Sequence, residues 1–335
     1  MLAICENVGM NGKSMLPTPA DLTLDEIQNR FATDEAARAY LEEIRWPHGV
    51  VCPHCRNADQ AKFWEIKTNT KKSIRPGLRQ CVECKKQFTV TVGTIFEDSH
   101  IPLRKWLVAW YLLCSSKKGI SSLQIQRMLG LGSYRTALFM MHRIRYALQH
   151  PSFAEKLPAK LMNTVEVDET YIGGKHKPMS EKWKNKTAVV ALVERGGNVR
   201  SRVMERVTGE NLRKFVSDNV TICTYVNTDD HLGYRGLGRK YEHGIVKHSA
   251  KEYARGDVHT NTVEGFFSLL KRGVIGTFHQ VSKKHLPLYL AEFDHRYNHR
   301  KTTDGERTVE GLKLTEGKRL TLKPLKGGLR LARRK

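Results

Sequence analysis

Two cysteine pairs stand in the N-terminal third of the chain, Cys52-Pro-His-Cys55 and Cys81-Val-Glu-Cys84. Each Cys-x-x-Cys places two thiolates on a tight turn, and two such turns can present four sulfurs tetrahedrally to one Zn2+. The 25 residues between the pairs make this a zinc ribbon with an enlarged loop. A closed four-thiolate site leaves no open position on the metal, so the expected Zn2+ is structural. A redox role explains one pair but not its repetition. His54, inside the first turn, reads as a solvent-facing residue. Cys114 and Cys223 read as ordinary buried cysteines, and Cys5 has no pairing logic.

A second set of candidates is acidic. Asp168 lies within the apolar run TVEVDETYI, where a carboxylate is costly unless paired or bound to a cation. Asp229 ends ICTYVNTD, where an apolar run meets a loop. Glu264 lies near the start of the helical stretch NTVEGFFSLLKRGV. On a helical wheel Val263, Phe266, Phe267, Leu270 and Val274 form a buried stripe, and Glu264, Ser268 and Lys271 fall together along its edge. Hard oxygen ligands converging from separate segments are what Mg2+ requires to bridge attacking and leaving oxygens in phosphodiester chemistry. Taken alone, Glu264 has a simpler reading, because Asn261 three residues before it has the form of a capping box. Glu166 shares a strand face with Asp168 and reads as a surface residue or a secondary ligand.

The elements that must position these groups follow from pattern. TDEAARAYLEEIRW is a helix that starts at Thr33 or Asp34 and stops at Pro47, and QFTVTVGTIF over 87–96 alternates as a strand. Residues 103–149 read as three helices with Gly and Ser breaks. The second and third have the form of a helix-turn-helix that would lead into a major groove with Tyr134, Arg135 and Thr136, while Arg127, His142, Arg143 and Arg145 would add phosphate-binding capacity; a plain three-helix bundle with a solvated cationic face fits the same pattern. From residue 163 onward strands alternate with a helix, which indicates an α/β domain. The formal charge of +23 favours nucleic acid as partner. No apolar run approaches the ~20 residues that cross a bilayer, and no amphipathic cationic helix or lipidation motif marks a membrane surface protein. The expected division is a flexible N-terminus over 1–20, a helix plus zinc ribbon over 21–99, a helix-turn-helix domain over 100–152, a catalytic domain over 160–312 and a basic tail over 313–335. That tail has nine basic residues against one acid and no period that would bury it.

The order of these parts, with VDETYIGGK, NTDDHLGY and VHTNTVEGFFSLLKRG, closely resembles zinc-ribbon insertion-sequence transposases of the ISXO-like group, whose catalytic core is RNase H-like and of the DDE type. The resemblance runs from about residue 20 to 312 and is most specific over 257–300. It implies that Asp168, Asp229 and Glu264 hold Mg2+ (or Mn2+), that Lys271 and Arg272 grip a phosphate near the cut, and that Asn261 caps the helix or assists the metal site. Tyr234 sets the register in favour of Asp229 over its neighbour Asp230. His259 orients a nucleophile or is structural. The implied activity is DNA strand cleavage and transfer at element ends, by a homo-oligomer on DNA in a bacterial, nucleoid-associated cytoplasm. A DNA-binding regulator that performs no chemistry is the rival reading, and a general nuclease a third.

Overall fold

The computed structural model describes residues 22–67, 74–149, 160–173, 186–222 and 224–321. The expected flexible N-terminus, Cys5, Cys223 and the tail beyond 321 lie outside these residues. Helices α1 (Leu24–Arg30) and α2 (Asp34–Arg45) each begin on a threonine, Thr23 or Thr33, whose hydroxyl accepts a first-turn N–H. Three short strands, β1 (Phe63–Glu65), β2 (Arg79–Cys81) and β3 (Gln87–Phe88), form an antiparallel sheet. The strand expected over 87–96 therefore ends after two residues. Beyond it Thr94 donates its hydroxyl to the carbonyl of Thr91, Gly93 takes a positive φ of 76°, and the resulting turns bury Val90, Ile95 and Phe96. Alternation recorded burial there, but the partner surface is helical. Helices α3 (Leu103–Ser115), α4 (Ser122–Leu129) and α5 (Tyr134–Leu148) follow, with Ser121 and Ser133 capping the second and third. Ribbon and helices share one core, which includes Leu41, Phe88, Trp106, Trp110 and Ile144.

Strands β4 (Thr164–Ile172), β5 (Thr187–Glu194) and β6 (Val199–Met204) are antiparallel neighbours. Helix α6 (Gly209–Asn219) then leads to β7 (Tyr225–Asp229) and β8 (Glu242–Val246), which add in parallel, so the mixed sheet runs β6-β5-β4-β7-β8. A small hairpin, β9 (Ala254–Arg255) and β10 (Val258–His259), delivers the chain to α7 (Asn261–Gly273), α8 (Leu286–Asn298) and α9 (Asp304–Lys313). Because strand side chains alternate, Val165 and Val167 pack with α6 on one face. Val189, Ala191 and Val193 pack with α7 and α8 on the other. The stripe read from the sequence, Val263, Phe266, Phe267, Leu270 and Val274, is the buried side of α7 and its C-cap. Helix α9 leaves the sheet and joins the first core through Val309 and Leu312. The described part of the basic tail, 313–321, is packed rather than loose. Leu320 is buried, and the Lys318 amino group donates to the carbonyls of Ala147 and Gln149.

Candidate active site and zinc centre

In the ribbon, the four sulfurs of Cys52, Cys55, Cys81 and Cys84 all lie within 4.8 Å of one another. The Cys52–Cys84 and Cys55–Cys81 separations are each 3.7 Å. Four thiolates at ~2.3 Å from a central Zn2+ would stand about 3.8 Å apart, so the donor set fits that ion in both chemistry and size. His54 points to the carbonyl of Gln87, 3.4 Å away. The ribbon is fixed to α2 by a layer in which Arg45 and Arg79 lie over the Trp46 ring, at 5.1 and 5.5 Å from its centroid, and Arg79 pairs with Glu42 at 2.8 Å.

The second site forms where β4 and β7 part. Their parallel pairing stops at Glu166↔Asn227, while β4 continues beside β5 to Ile172 and β7 beside β8 to Asp229. Asp168 and Asp229 each sit two residues past that last pair, on the sheet face that α7 covers. Asp168 accepts from the Glu169 N–H at 2.7 Å, and Asp229 from the His231 N–H at 3.1 Å. Burial, and then repulsion by Asp229, Glu169 and Glu264, pushes the Asp168 carboxyl up to about 7. Burial also raises Asp229. Glu264 is half-exposed on the first turn of α7, with Thr260 donating to it at 2.9 Å and His248 3.7 Å away. A cleft of about 790 Å3 is lined by Asp168, Glu169 and Glu264 and, further along α7, by Lys271 and Arg272. The three predicted acids stand wider than the cysteines, since among the described residues only the thiolate set has every ligand atom within 4.8 Å. Asp230 is turned away and bonded to Ser249.

The start of α7 is built differently from the expected Asn261–Glu264 capping box. Thr260 is the N-cap residue, its side chain makes no capping bond, and Asn261 is exposed at the first helical position. The acceptor for the helix N-terminus is Glu166. Its buried carboxylate takes the N–H groups of Thr262 and Val263 at 2.7 and 3.0 Å and the Thr262 hydroxyl at 2.8 Å. Arg195 and His259 lie 2.7 and 3.2 Å from the same carboxylate. Glu166 is thus neither a surface residue nor a ligand of the cleft, but the group that ties α7 to β4. His259 belongs to that tie and not to the acidic set. Sequence reasoning gave Glu169 no role and used Tyr234 only to set the register of Asp229. The buried Tyr234 hydroxyl donates to Glu169 at 2.5 Å, and burial raises the Glu169 carboxyl, which places a further acid beside Asp168 and Asp229.

Comparison with known proteins matches residues 160–298 to the ISXO2-like transposase domain and residues 32–87 to the transposase zinc-ribbon domain. The chain thus contains an ISXO2-like transposase domain and, ahead of it, a transposase zinc-ribbon domain. An uncharacterized protein in transposable element ISH50 of Halobacterium salinarum is 27% identical over 285 residues, which is 79% of this chain and 91% of that protein. Among solved structures, a simian T-cell lymphotropic virus intasome in complex with PP2A regulatory subunit B56 gamma is 12% identical, with a TM-score of 0.27. That match covers 56% of this chain and 65% of the other, under two thirds of its length. The zinc-ribbon match coincides with the thiolate cluster, and the transposase-domain match contains Asp168, Asp229 and Glu264. No described helix of the chain is long and apolar enough to cross a membrane.

The helix start at α5 presents Tyr134, Arg135 and Thr136 to solvent, as its sequence suggests. Arg143 is a correction. It is buried, its guanidinium lies 5.3 Å from the Trp106 centroid and 5.6 Å from that of Phe139, and it donates to the Glu97 carbonyl at 2.6 Å, so it has no face for a phosphate. His142 and Arg145 are buried too. Lys118, from the turn between α3 and α4, lines the cleft and had no signal in the sequence beyond its charge.

Proposed function

We propose that the chain is a transposase that binds the ends of an insertion sequence, cleaves them and joins the 3′-hydroxyl to target DNA, with Asp168, Asp229 and Glu264 as ligands of catalytic Mg2+ or Mn2+. The observation that carries this reading is a cleft lined by carboxylates of β4 and α7 and cationic at its far end, with Asp229 of β7 near enough to Asp168 to push its carboxyl up. The donor set suits the ions, because hard oxygens crowd a buried aspartate whose charge a divalent cation would compensate. Bound there, the ions would activate water and then a 3′-hydroxyl toward phosphorus. Asp168, Asp229 and Glu264 fix the position of that chemistry, and Lys271 and Arg272 neutralise the phosphates entering the cleft. Glu166 holds the helix that carries Glu264.

The sheet order, three antiparallel strands followed by two parallel ones with helices on both faces, supports an RNase H-like reading of the domain over 160–312. The exposed start of α5, set on a capped turn after α4, supports a helix-turn-helix over 100–152 that reads DNA through Tyr134, Arg135 and Thr136. The zinc ribbon over 21–99 adds a docking module. Pairing of two element ends implies a homo-oligomer on DNA, at work on the chromosome in the cytoplasm. The deciding experiment incubates purified full-length protein and Mg2+ with duplex containing an element end. The parent chain should process it, while Asp168→Ala should bind it and leave it intact. Equal processing by the variant rejects the assignment, and binding without processing by the parent chain favours the regulator.

A further inference from the structure

Lys118 belongs to the helical module, yet it faces the cleft formed by the sheet and α7. Its backbone is held from several directions. Arg296 of α8 donates to the Ser116 carbonyl at 2.8 Å. Gly273, at the end of α7, lies so close that a Cβ there would meet the Lys118 carbonyl oxygen at 2.8 Å. Gly119 takes a positive φ of 89° under Phe278, where a Cβ would stand 2.5 Å from the ring. The two glycines let the turn and the helix end touch, so Lys118 is presented at a fixed place although its side chain is exposed. Among the described residues no carboxylate forms an ion pair with it. Along α7, Lys271 and Arg272 lie about 10–12 Å from Glu264, and Gly273, which abuts Lys118, about 13 Å. Phosphates on one DNA strand advance ~3.4 Å along the axis. For a strand laid along α7, the three cations would stand opposite a phosphate about three or four nucleotides from the one at the acids.

We propose that Lys118 contacts the DNA backbone at that phosphate together with Lys271 and Arg272, so that the strand is gripped across the junction of the two modules. The inference rests on the transposase reading of the cleft. Its test measures binding of the full-length chain, in Ca2+, to a duplex copied from one end of the encoding element, over a range of salt. A parallel series of duplexes carries one neutral methylphosphonate at each successive position. Lys118→Ala should lower the salt slope by about one contact. The methylphosphonate three or four nucleotides from the cut should weaken the parent chain several-fold, weaken Lys118→Ala clearly less because only Lys271 and Arg272 still reach that phosphate, and weaken Lys118→Arg as it does the parent. An unchanged slope and an unchanged pattern of phosphate sensitivity in Lys118→Ala overturn the contact. Cleavage in Mg2+ reads the two ideas apart. Binding with the expected pattern but without cleavage sustains the grip and removes the metal chemistry, whereas cleavage with no Lys118-dependent phosphate removes the grip alone.

Discussion

Glu166 forms no part of the acidic cleft, yet it decides where Glu264 stands. A buried carboxylate that accepts from Thr262 and Val263 substitutes for a local cap and favours the positive end of the helix dipole. Glu166→Gln keeps the shape but removes the charge facing Arg195, and should cost roughly 1–3 kcal/mol in urea unfolding. It should also raise the Mn2+ concentration needed for cleavage, a readout that loss of stability alone would leave unmoved below the unfolding transition. Asp294 gives a second test. It accepts from the Ser201 N–H and hydroxyl at 2.9 and 2.7 Å, and burial pushes its carboxyl up to about 7 despite those bonds. Because the folded value is raised, the protonated form is favoured in the fold; relative stability is full below the unfolded value near ~3.9 and declines as pH rises through about 7. Asp294→Asn cannot ionise, so its melting temperature should gain on the parent's between these limits and keep a constant lead above them. A pH-independent difference would contradict the assignment. Neither residue announced its role in the sequence. Glu166 looked like a strand residue with one wet face because β4 gives no sign that both its faces are covered, and its partners lie 96 and 97 positions away.

Elements whose burial follows a simple period were legible. The apolar run TVEVDETYI became β4, the strands expected to alternate with a helix from residue 163 onward became β5 to β7 and α6, and the apolar stripe of α7 lies where the wheel put it. Helix α5 was harder. Its cations at 143 and 145 read as a phosphate-binding face, but α5 is packed on several sides, and their compensation comes from the Glu97 carbonyl and the Glu292 carboxylate, neither visible in local pattern. Asp168 and Asp229 stood out as acids at strand ends, whereas Glu264 read alone looked like a helix cap and joined them only through the resemblance; Lys118 gave no sign, since its place depends on two glycines in different modules. The zinc ribbon is predictable at both levels. Its strands contain two or three residues each and share their core with α2, so the metal must supply much of their order. Metal analysis should find one Zn2+ per chain at the thiolate set. Cys81→Ser, or prolonged chelation, should remove amide-exchange protection from β1–β3 and the end of α2 while β4, β5 and β7 keep theirs. DNA affinity should fall without loss of the sheet. Protection unchanged after verified zinc loss would mean that packing against Trp46 suffices.

The chain enters the helical module, crosses to the sheet and returns through α9, where Arg307 donates to the Cys114 carbonyl at 2.8 Å. Two modules joined in this way have their boundary in a core and not in a linker, and that boundary contains charge. Arg145 of α5 lies 2.5 Å from Glu292 of α8, with neither side chain exposed, and Arg296 approaches the same carboxylate at 2.8 Å. The Arg145 guanidinium also stacks on Tyr289, 4.1 Å from the ring centroid. One carboxylate thus serves two buried guanidiniums, and the terminal nitrogens of Arg145 have no hydrogen-bond partner among the described residues. Such a triad adds little to stability compared with a well-packed apolar junction, but removing its single anion strands both cations. Glu292→Gln should therefore cost about 3–5 kcal/mol. The loss falls at the junction, so the single unfolding transition of the parent should separate into two, with β4, β5 and β7 retaining protection after α3 and α5 have lost theirs. Arg296 also holds the Ser116 carbonyl that steadies the Lys118 turn, so the same variant should blur the dependence of DNA binding on one phosphate while leaving Asp168, Asp229 and Glu264 in place. If Glu292→Gln unfolds in one transition at the parent's midpoint, apolar contacts between α5 and α8 hold the modules together without the triad.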